Sequence, residues 1–427
     1  MLHASPFVLD VVENGYSIPF SSLPPPFFAD NNRSSKRNRD FVDDAIKQLL
    51  LNKCIEVSPE QPYCCNPLTV AGGEKPRLVL DLRHVNKYIN LSKFKYEDLL
   101  TFAEMFEKDD YFIRFDLRSG YHHISINSDF TKYLGFRWTF RDGSSSFFIF
   151  LVLPFGLSSA CHVFTKVMRT HIKKWRGEGI KSIIYIDDGI NGAKNSPRCT
   201  AVSITVIGDL EKSGFVLNME KSDFEPKQTG EWLGTVIDTT SMSFRVPQKK
   251  VLKLKSDIQK ALTTVNVTAR NLSSIAGKLS AMHLAIGPIV RLMTRSMYFD
   301  ICVAASWDGF CVVSLDTTEE LHFWMTNFDF TNGYSYKLRP VTTKILFTDA
   351  SQFGYGGYEA KRLGQTIVRG RFTYAESRTS STFRELLAVK YTVSSLSTIL
   401  KGQSVLVNVD NFSASRILAI GSAKPHL

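Results

Sequence analysis

The stretch that decides the reading is "KSIIYIDDGI", residues 181–190, an apolar run that ends in two adjacent aspartates and a glycine. Neighbouring carboxylates repel, and holding them at the end of a buried strand adds a desolvation cost. The plain reading is a solvated turn, because Asp-Gly after an apolar run is a common hairpin signal. Taken alone the stretch favours that reading, and any other needs partners elsewhere in the chain.

A partner stands some seventy residues earlier, where "YFIRFDL" (111–117) closes another apolar strand on Asp116. If the two strands are neighbours in one sheet, Asp116, Asp187 and Asp188 gather at one edge. Three carboxylates at that density call for cations between them, and hard oxygen ligands suit Mg²⁺, with Mn²⁺ as a possible substitute. Two ions about 3.5–4 Å apart would stabilise the attacking and leaving oxygens of a phosphoryl displacement. Asp187 is the expected principal ligand and Asp188 its supporting neighbour.

Other residues fit nucleotidyl transfer. Lys75 and Arg77, beside the strand in "KPRLVLDLRHVN", could hold a triphosphate. Tyr121, five residues past Asp116, could lie under an incoming sugar and exclude a 2′-hydroxyl. Phe155 and Gly156 in "LPFGLSSA" form a turn before a helix, where backbone and an aromatic face can meet a nucleotide. Lys221 in "NMEKSDF" could protonate a pyrophosphate leaving group. Each residue alone is more often a solvated edge or a core position. Their order along the chain carries the weight.

The 427 residues suggest two to four compact units, and 44% hydrophobic with 22% charged residues can bury real cores. A formal net charge of +11 favours a polyanionic partner. Seven cysteines without a CxxC read as reduced thiols, so an intracellular setting, cytoplasm or nucleus, is expected. The N-terminus has no signal-peptide pattern, and the longest apolar run, "FFIFLVL" (147–153), is too short to span a bilayer, so no membrane partner is expected. Residues 1–35, rich in Pro, Ser and Asn, read as a flexible N-terminal arm or a wrapping segment. A helix is predicted over 40–52, capped by Asp40 and presenting Phe41, Ala45, Leu49 and Asn52 on one face. "GYHHISI" (120–126) reads with strand periodicity, and a helix from about Ser158 carries the apolar stripe Leu157, Cys161, Phe164, Met168, His171, Ile172 and Trp175. Over 245–300 ten Lys and Arg stand against two acids in a helical pattern, as a backbone-gripping module would need.

A second acidic series follows. Asp349 ends the strand "KILFTDAS", Glu385 lies on a helix in "FRELLAV", and Asp410 ends the strand "SVLVNVD". Together they could build another two-metal site, one that cuts a phosphodiester.

Residues 75–238 closely resemble the fingers and palm of a retroelement reverse transcriptase. The carriers are "KPRLVLDLRHVN", "FDLRSGYHHISI", "LPFGLSSACHVF", "YIDD", "LNMEKSDF" and "WLGTVID". The resemblance implies Asp116, Asp187 and Asp188 as catalytic metal ligands and Lys221 as the acid. It implies Lys75, Arg77, Tyr121, Phe155 and Gly156 as the dNTP pocket, and Trp232, Leu233 and Gly234 as a primer grip. Phe155 departs from the glutamine of retroviral enzymes and matches Ty3-like elements. Asp349, Glu385 and Asp410 resemble the metal ligands of a ribonuclease H domain, with "GYGG" (354–357) as a hairpin turn. That family uses a fourth carboxylate, and no matching segment occurs before Leu427, so the domain reads as C-terminally truncated and its nuclease activity as doubtful. "SGYHHISI", "IIYIDDGI" and "ARNLSSIAGKLSAM" look most like the DIRS group, whose elements integrate with a tyrosine recombinase.

The resulting expectation is an α+β right-hand polymerase with fingers, a palm built on an antiparallel sheet, and a helical thumb, followed by a partial ribonuclease H-like α/β domain. The segments are an arm at 1–35, fingers and palm at 36–240, thumb at 241–305, connector at 306–340 and the ribonuclease H-like domain at 341–427. The expected activity is RNA-directed DNA polymerisation, with RNA template, DNA primer, RNA–DNA hybrid and dNTPs as partners. The alternatives are a Ty3-like or pararetroviral fragment, a non-catalytic nucleic-acid binder, and a nuclease alone.

Overall fold

The computed structural model describes residues 4–73, 75–91, 94–264, 266–336, 342–360 and 366–422. The end of the expected connector (337–340) and the first residue of the expected final domain (341) lie outside them. The chain divides into two compact units, Met1–Leu233 and Gly234–Leu427.

The first unit is organised by two sheets. The palm sheet is fully antiparallel, in the order Asp223–Lys227, Tyr111–Asp116, Asp188–Ala193, Lys181–Tyr185. Helices Ala160–Gly177 and Ser196–Lys212 pack against it. The stripe expected on the first of these is real: Phe164, Met168, His171, Ile172 and Trp175 are buried. The second sheet runs Phe27–Phe28, Cys64–Cys65, Gly135–Thr139, Ser145–Phe150, Ile55–Ser58. A separate hairpin pairs Leu68–Ala71 with Arg77–Leu80.

The opening stretch differs from its plain reading in one respect. The two-residue loop is Ile186–Asp187, not Asp188–Gly189, because Asp188 and Gly189 already belong to the returning strand. Gly189 faces Phe115 across the sheet, and a Cβ there would lie 2.1 Å from the Phe115 ring. The glycine therefore makes room for an aromatic ring rather than for a turn. The left-handed conformation falls on Ile186, at φ 59°. A β-branched residue is costly there, and the hairpin holds it in place.

Three further expectations change. The arm expected over 1–35 takes the wrapping form: Pro6–Asn14 is a helix, Val8, Val11, Tyr16 and Ile18 are buried, and Tyr16 bridges to Ile126. Its apolar residues are spaced closely enough to pay for ordering a Pro-rich segment. The helix predicted at 40–52 spans Arg39–Leu51, with Val42, Asp43 and Ile46 as its buried stripe. Asp43 enters the core because the Trp138 indole N–H donates to it at 2.6 Å. "GYHHISI" opens with a 3₁₀ turn, Gly120–His123, entered through Ser119 at φ 53°.

In the second unit, helices Gln248–Thr263, Ala269–Ala281 and Arg295–Val303 fill the basic region, and Leu315–Thr331 is a long helix in the expected connector. From Lys344 a sheet forms in the order Thr366–Arg371, Gly354–Glu359, Lys344–Ala350, Val405–Asn408. The last pair is parallel and the others antiparallel. Helix Ser381–Ser395 packs on it. "GYGG" is part of a strand, and the turn precedes it at 351–353. A Cβ on Gly357 would meet Thr392 at 2.2 Å, so that glycine lets the helix approach the sheet. Among the described residues, no helix is long and apolar enough to cross a membrane.

Candidate active site

The palm hairpin brings the first acidic series together. Asp188 pairs with Asp116 in the register of the two central strands, and cross-strand partners project to the same face. Asp187 sits at the hairpin tip, where its carbonyl accepts from the Leu117 N–H at 3.3 Å. Asp116 is buried, and both hairpin aspartates are half-buried.

The electrostatics follow from that crowding. Burial, then the charges of Asp187 and Asp116, push Asp188 up to about 6. Asp187 is also raised, by burial first and by Asp116, while Lys221 and Arg77 pull the other way. The group is therefore short of positive charge, which is the condition a divalent cation relieves.

Asp116 is turned toward a polar bracket. Asn218 donates its side-chain N–H to Oδ1 at 3.0 Å, and the Lys221 ammonium stands 3.5 Å from the same oxygen. The Asp116 N–H donates to Ser222 Oγ at 3.0 Å. The three aspartates do not gather to within 4.8 Å of one another; among the described residues only Asp349, Glu385 and Asp410 do so.

The residues expected to meet a nucleotide lie around a second bracket. Gly156 lies at φ 113°, and a Cβ there would fall 1.9 Å from the Leu80 carbonyl oxygen. Only glycine fits that approach, which ties the Pro-Phe-Gly turn to the end of the 77–80 strand. The Leu80 N–H donates to the Phe155 carbonyl at 3.0 Å. The Asn86 side chain donates to the Gly156 carbonyl and accepts from the Ser158 N–H, at 2.9 and 3.0 Å. The Tyr121 ring lies 5.3 Å from that of Phe155 and 5.7 Å from that of Phe164. Lys75 and Arg77 are exposed, in the loop and at the first residue of the hairpin's second strand.

Trp232 is buried with its ring 6.4 Å from Phe102, so it is a core residue. The backbone then turns through Leu233 and Gly234, both at positive φ.

In the second unit, ligand atoms of Asp349, Glu385 and Asp410 lie within 4.8 Å of one another. Glu385 is buried; Asp349 and Asp410 are exposed. Burial, then the charges of Asp410 and Asp349, raise the Glu385 carboxyl.

Four supporting residues escaped the sequence reading: Asn86, Asn218, Ser222 and His123. His123 accepts from the Val216 N–H on Nε2 and meets the Gly120 carbonyl through Nδ1, each at 3.1 Å. That pattern needs a neutral ring with its proton on Nδ1. The only signal for these residues was their place inside the quoted motifs.

The antiparallel palm sheet, its aspartate hairpin and the helices behind it are those of the right-hand polymerase fold. Solved structures agree in fold: foamy viral protease–reverse transcriptase in complex with RNA/DNA hybrid is similar at TM-score 0.65 and 16% identity, over 94% of this chain and 52% of that one. The same viral protein (dRH) in complex with double-stranded DNA is similar at TM-score 0.63 and 17% identity, over 94% and 69%. Residues 71–237 match the family described as "Reverse transcriptase (RNA-dependent DNA polymerase)". Curated relatives include the Pol polyproteins of the Drosophila melanogaster transposons gypsy and opus. Gypsy is 26% identical over 46% of this chain and 19% of its own length. Opus is 26% identical over 69% and 28%. The genome polyprotein of Petunia vein clearing virus (isolate Hohn) is 23% identical over 89% and 17%. The chain thus spans less than a third of each of these relatives. Residues 71–237 are similar to the reverse transcriptase domain found in retrotransposon and retrovirus-related Pol polyproteins.

Proposed function

We propose that the chain is the RNA-directed DNA polymerase of a retroelement. The observation that carries this is the pairing of Asp188 with Asp116 beside Asp187, on a sheet edge where burial and mutual repulsion demand a cation. Three carboxylates are a fitting donor set for Mg²⁺, with Mn²⁺ as a substitute; when bound, such ions supply charge stabilisation at the attacking and leaving oxygens. In the reaction the primer 3′-oxygen forms a bond to the α-phosphorus of a dNTP, the bond to pyrophosphate breaks, and the 3′-hydroxyl proton leaves to solvent. Lys75 and Arg77 hold the triphosphate, Phe155 and Gly156 line the nucleotide pocket, and Tyr121 lies under the sugar. Lys221 gives a proton to the leaving pyrophosphate. The turn at Leu233 and Gly234 supports the primer, with Trp232 anchoring it in the core. Pairing with the template selects the base.

The basic helices of residues 241–305 serve as the thumb and 306–340 as the connector, and template–primer duplex is the partner that the net charge of +11 favours. Asp349, Glu385 and Asp410, grouped within 4.8 Å of one another, would hold the metal of a ribonuclease H-like site whose substrate is RNA–DNA hybrid. The DIRS group remains the finer assignment, supported by "SGYHHISI", "IIYIDDGI" and "ARNLSSIAGKLSAM". An intracellular location belongs to the same proposal.

Primer extension by the purified chain, with Mg²⁺, dNTPs and an RNA template, tests the polymerase reading. Template-dependent extension is expected, and Asp188→Asn should abolish it while duplex binding persists. Extension by Asp188→Asn at the wild-type rate would overturn it.

A further inference from the structure

Tyr121, the residue that lies under the sugar in the proposed site, is held by a group that nothing in the polymerase reading requires. Its hydroxyl meets the Cys161 thiol at 2.7 Å. Cys161 is the second residue of the helix Ala160–Gly177, and its carbonyl accepts from the Thr165 hydroxyl one turn on, at 2.7 Å. The anchor therefore stands on a rigid element packed into the core. The adjoining backbone is also committed, because a Cβ on Gly120 would lie 3.3 Å from the Asp187 Cβ.

The remaining contacts of the Tyr121 ring are aromatic: Phe155 at 5.3 Å and Phe164 at 5.7 Å between centroids. Such contacts tolerate sliding and tilting of one ring over another. A hydrogen bond at the far end of the ring is directional, and it holds the phenol oxygen in place against swings of the side chain about χ1. Steric exclusion of one hydroxyl depends on sub-ångström placement, so the anchor matters more than its small energy suggests.

We propose that Cys161 is a positioning residue that sets the sugar selectivity of the site by holding Tyr121 through its hydroxyl. The inference rests on the polymerase reading above and deepens it: the substrate class is the deoxyribonucleoside triphosphate, and the discriminated competitor is the ribonucleoside triphosphate. No bond is made or broken at Cys161.

The test is single-nucleotide extension by the full chain with matched dNTP and rNTP, giving kcat and KM for each. Cys161→Val removes the hydrogen bond and keeps an apolar side chain, with one methyl group of added bulk. It should lower the dNTP-to-rNTP ratio of kcat/KM about three- to tenfold, the scale of one neutral hydrogen bond. The change should appear in KM for dNTP and in rNTP use, with kcat for dNTP within about twofold, since the anchor touches no reacting atom. Cys161→Ser, which keeps a hydroxyl partner, should restore most of the ratio. Tyr121→Phe should reproduce the Cys161→Val effect, and the double variant should go no further. An unchanged ratio in a Cys161→Val protein of wild-type melting temperature overturns the proposal, as do effects of the two single changes that multiply. Wild-type chain that fails to extend a primer refutes the polymerase reading itself. Tyr121→Ala with full discrimination, by contrast, spares that reading and removes the role of Cys161.

Discussion

Asp188 faces Asp116 directly across the two central strands of the palm sheet, and both stand beside Asp187 at the tip of the hairpin. A sheet edge that presents three acids in this way is unfavourable unless positive charge is delivered to it. Neutralising one acid should therefore remove function without harming the fold. Asp187→Asn and Asp116→Asn are each expected to reduce primer extension by at least about a hundredfold, as loss of a charge-stabilising group does. The melting temperature should stay the same or rise, because one repulsive partner is gone. A gel-based extension assay run beside calorimetry checks both halves.

Asn218 is the neutral arm of the bracket on Asp116, donating at 3.0 Å. Asn218→Ala frees that carboxylate to rotate. A hydrogen bond to a charged group contributes about 1.5–3 kcal/mol, so the extension rate at limiting Mg²⁺ should fall roughly ten- to hundredfold. Raising Mg²⁺ should recover part of the loss. A rate that shows no Mg²⁺ dependence beyond wild type would argue that Asn218 does not orient Asp116.

Gly189 makes room for Phe115, whose ring a Cβ would approach to 2.1 Å. Gly189→Ala should destabilise the first unit by about 1–3 kcal/mol through overpacking. Adding Phe115→Leu should restore part of that stability. Urea denaturation of the single and double variants measures the coupling.

His171 is buried between Trp175 and Phe215, with Nε2 against the Ser213 hydroxyl at 2.8 Å. Burial pulls its pKa down to about 4, and His122 falls to about 4 for the same reason. Both folded-state values lie below the unfolded value of about 6.5, so the unfolded chain binds more protons in that window. Their contribution is fully present above about pH 6.5 and is lost as the pH falls toward 4. Stability of the first unit should drop across that range by an amount of order 1–3 kcal/mol for His171. His171→Phe should flatten the slope in urea titrations at stepped pH.

Asp349, Glu385 and Asp410 approach within 4.8 Å, the tightest acidic grouping among the described residues. Mn²⁺ titration by calorimetry should detect a site that Asp410→Asn weakens at least about tenfold, the loss of one charged ligand. The Asp116→Asn variant should leave that site intact. Equal weakening by both changes would mean that the two acidic sets are not separate centres.

Much of this was legible in the chain itself. The apolar runs before Asp116 and Asp187 mark strands, because alternation and β-branched residues suit a half-buried sheet. The acids that end them, and the later series Asp349, Glu385 and Asp410, stand out because carboxylates are costly in those places. The helix after Gly156 is visible in the spacing of Phe164, Met168 and Trp175.

What the sequence could not determine depends on groups distant in the chain. Spacing alone puts the wrong face of the helix at 39–51 inward, because the Trp138 N–H, some ninety-five residues away, makes burial of Asp43 tolerable. Gly189 looked like a turn residue until the register set Phe115 opposite it. The bracket of Asn218 and Lys221 on Asp116, and the thiol of Cys161 on Tyr121, join residues forty or more positions apart. Local propensity and periodicity report what a residue costs its own strand or helix. They carry no information about which distant donor offsets that cost, and that choice is made only when the sheets and helices pack.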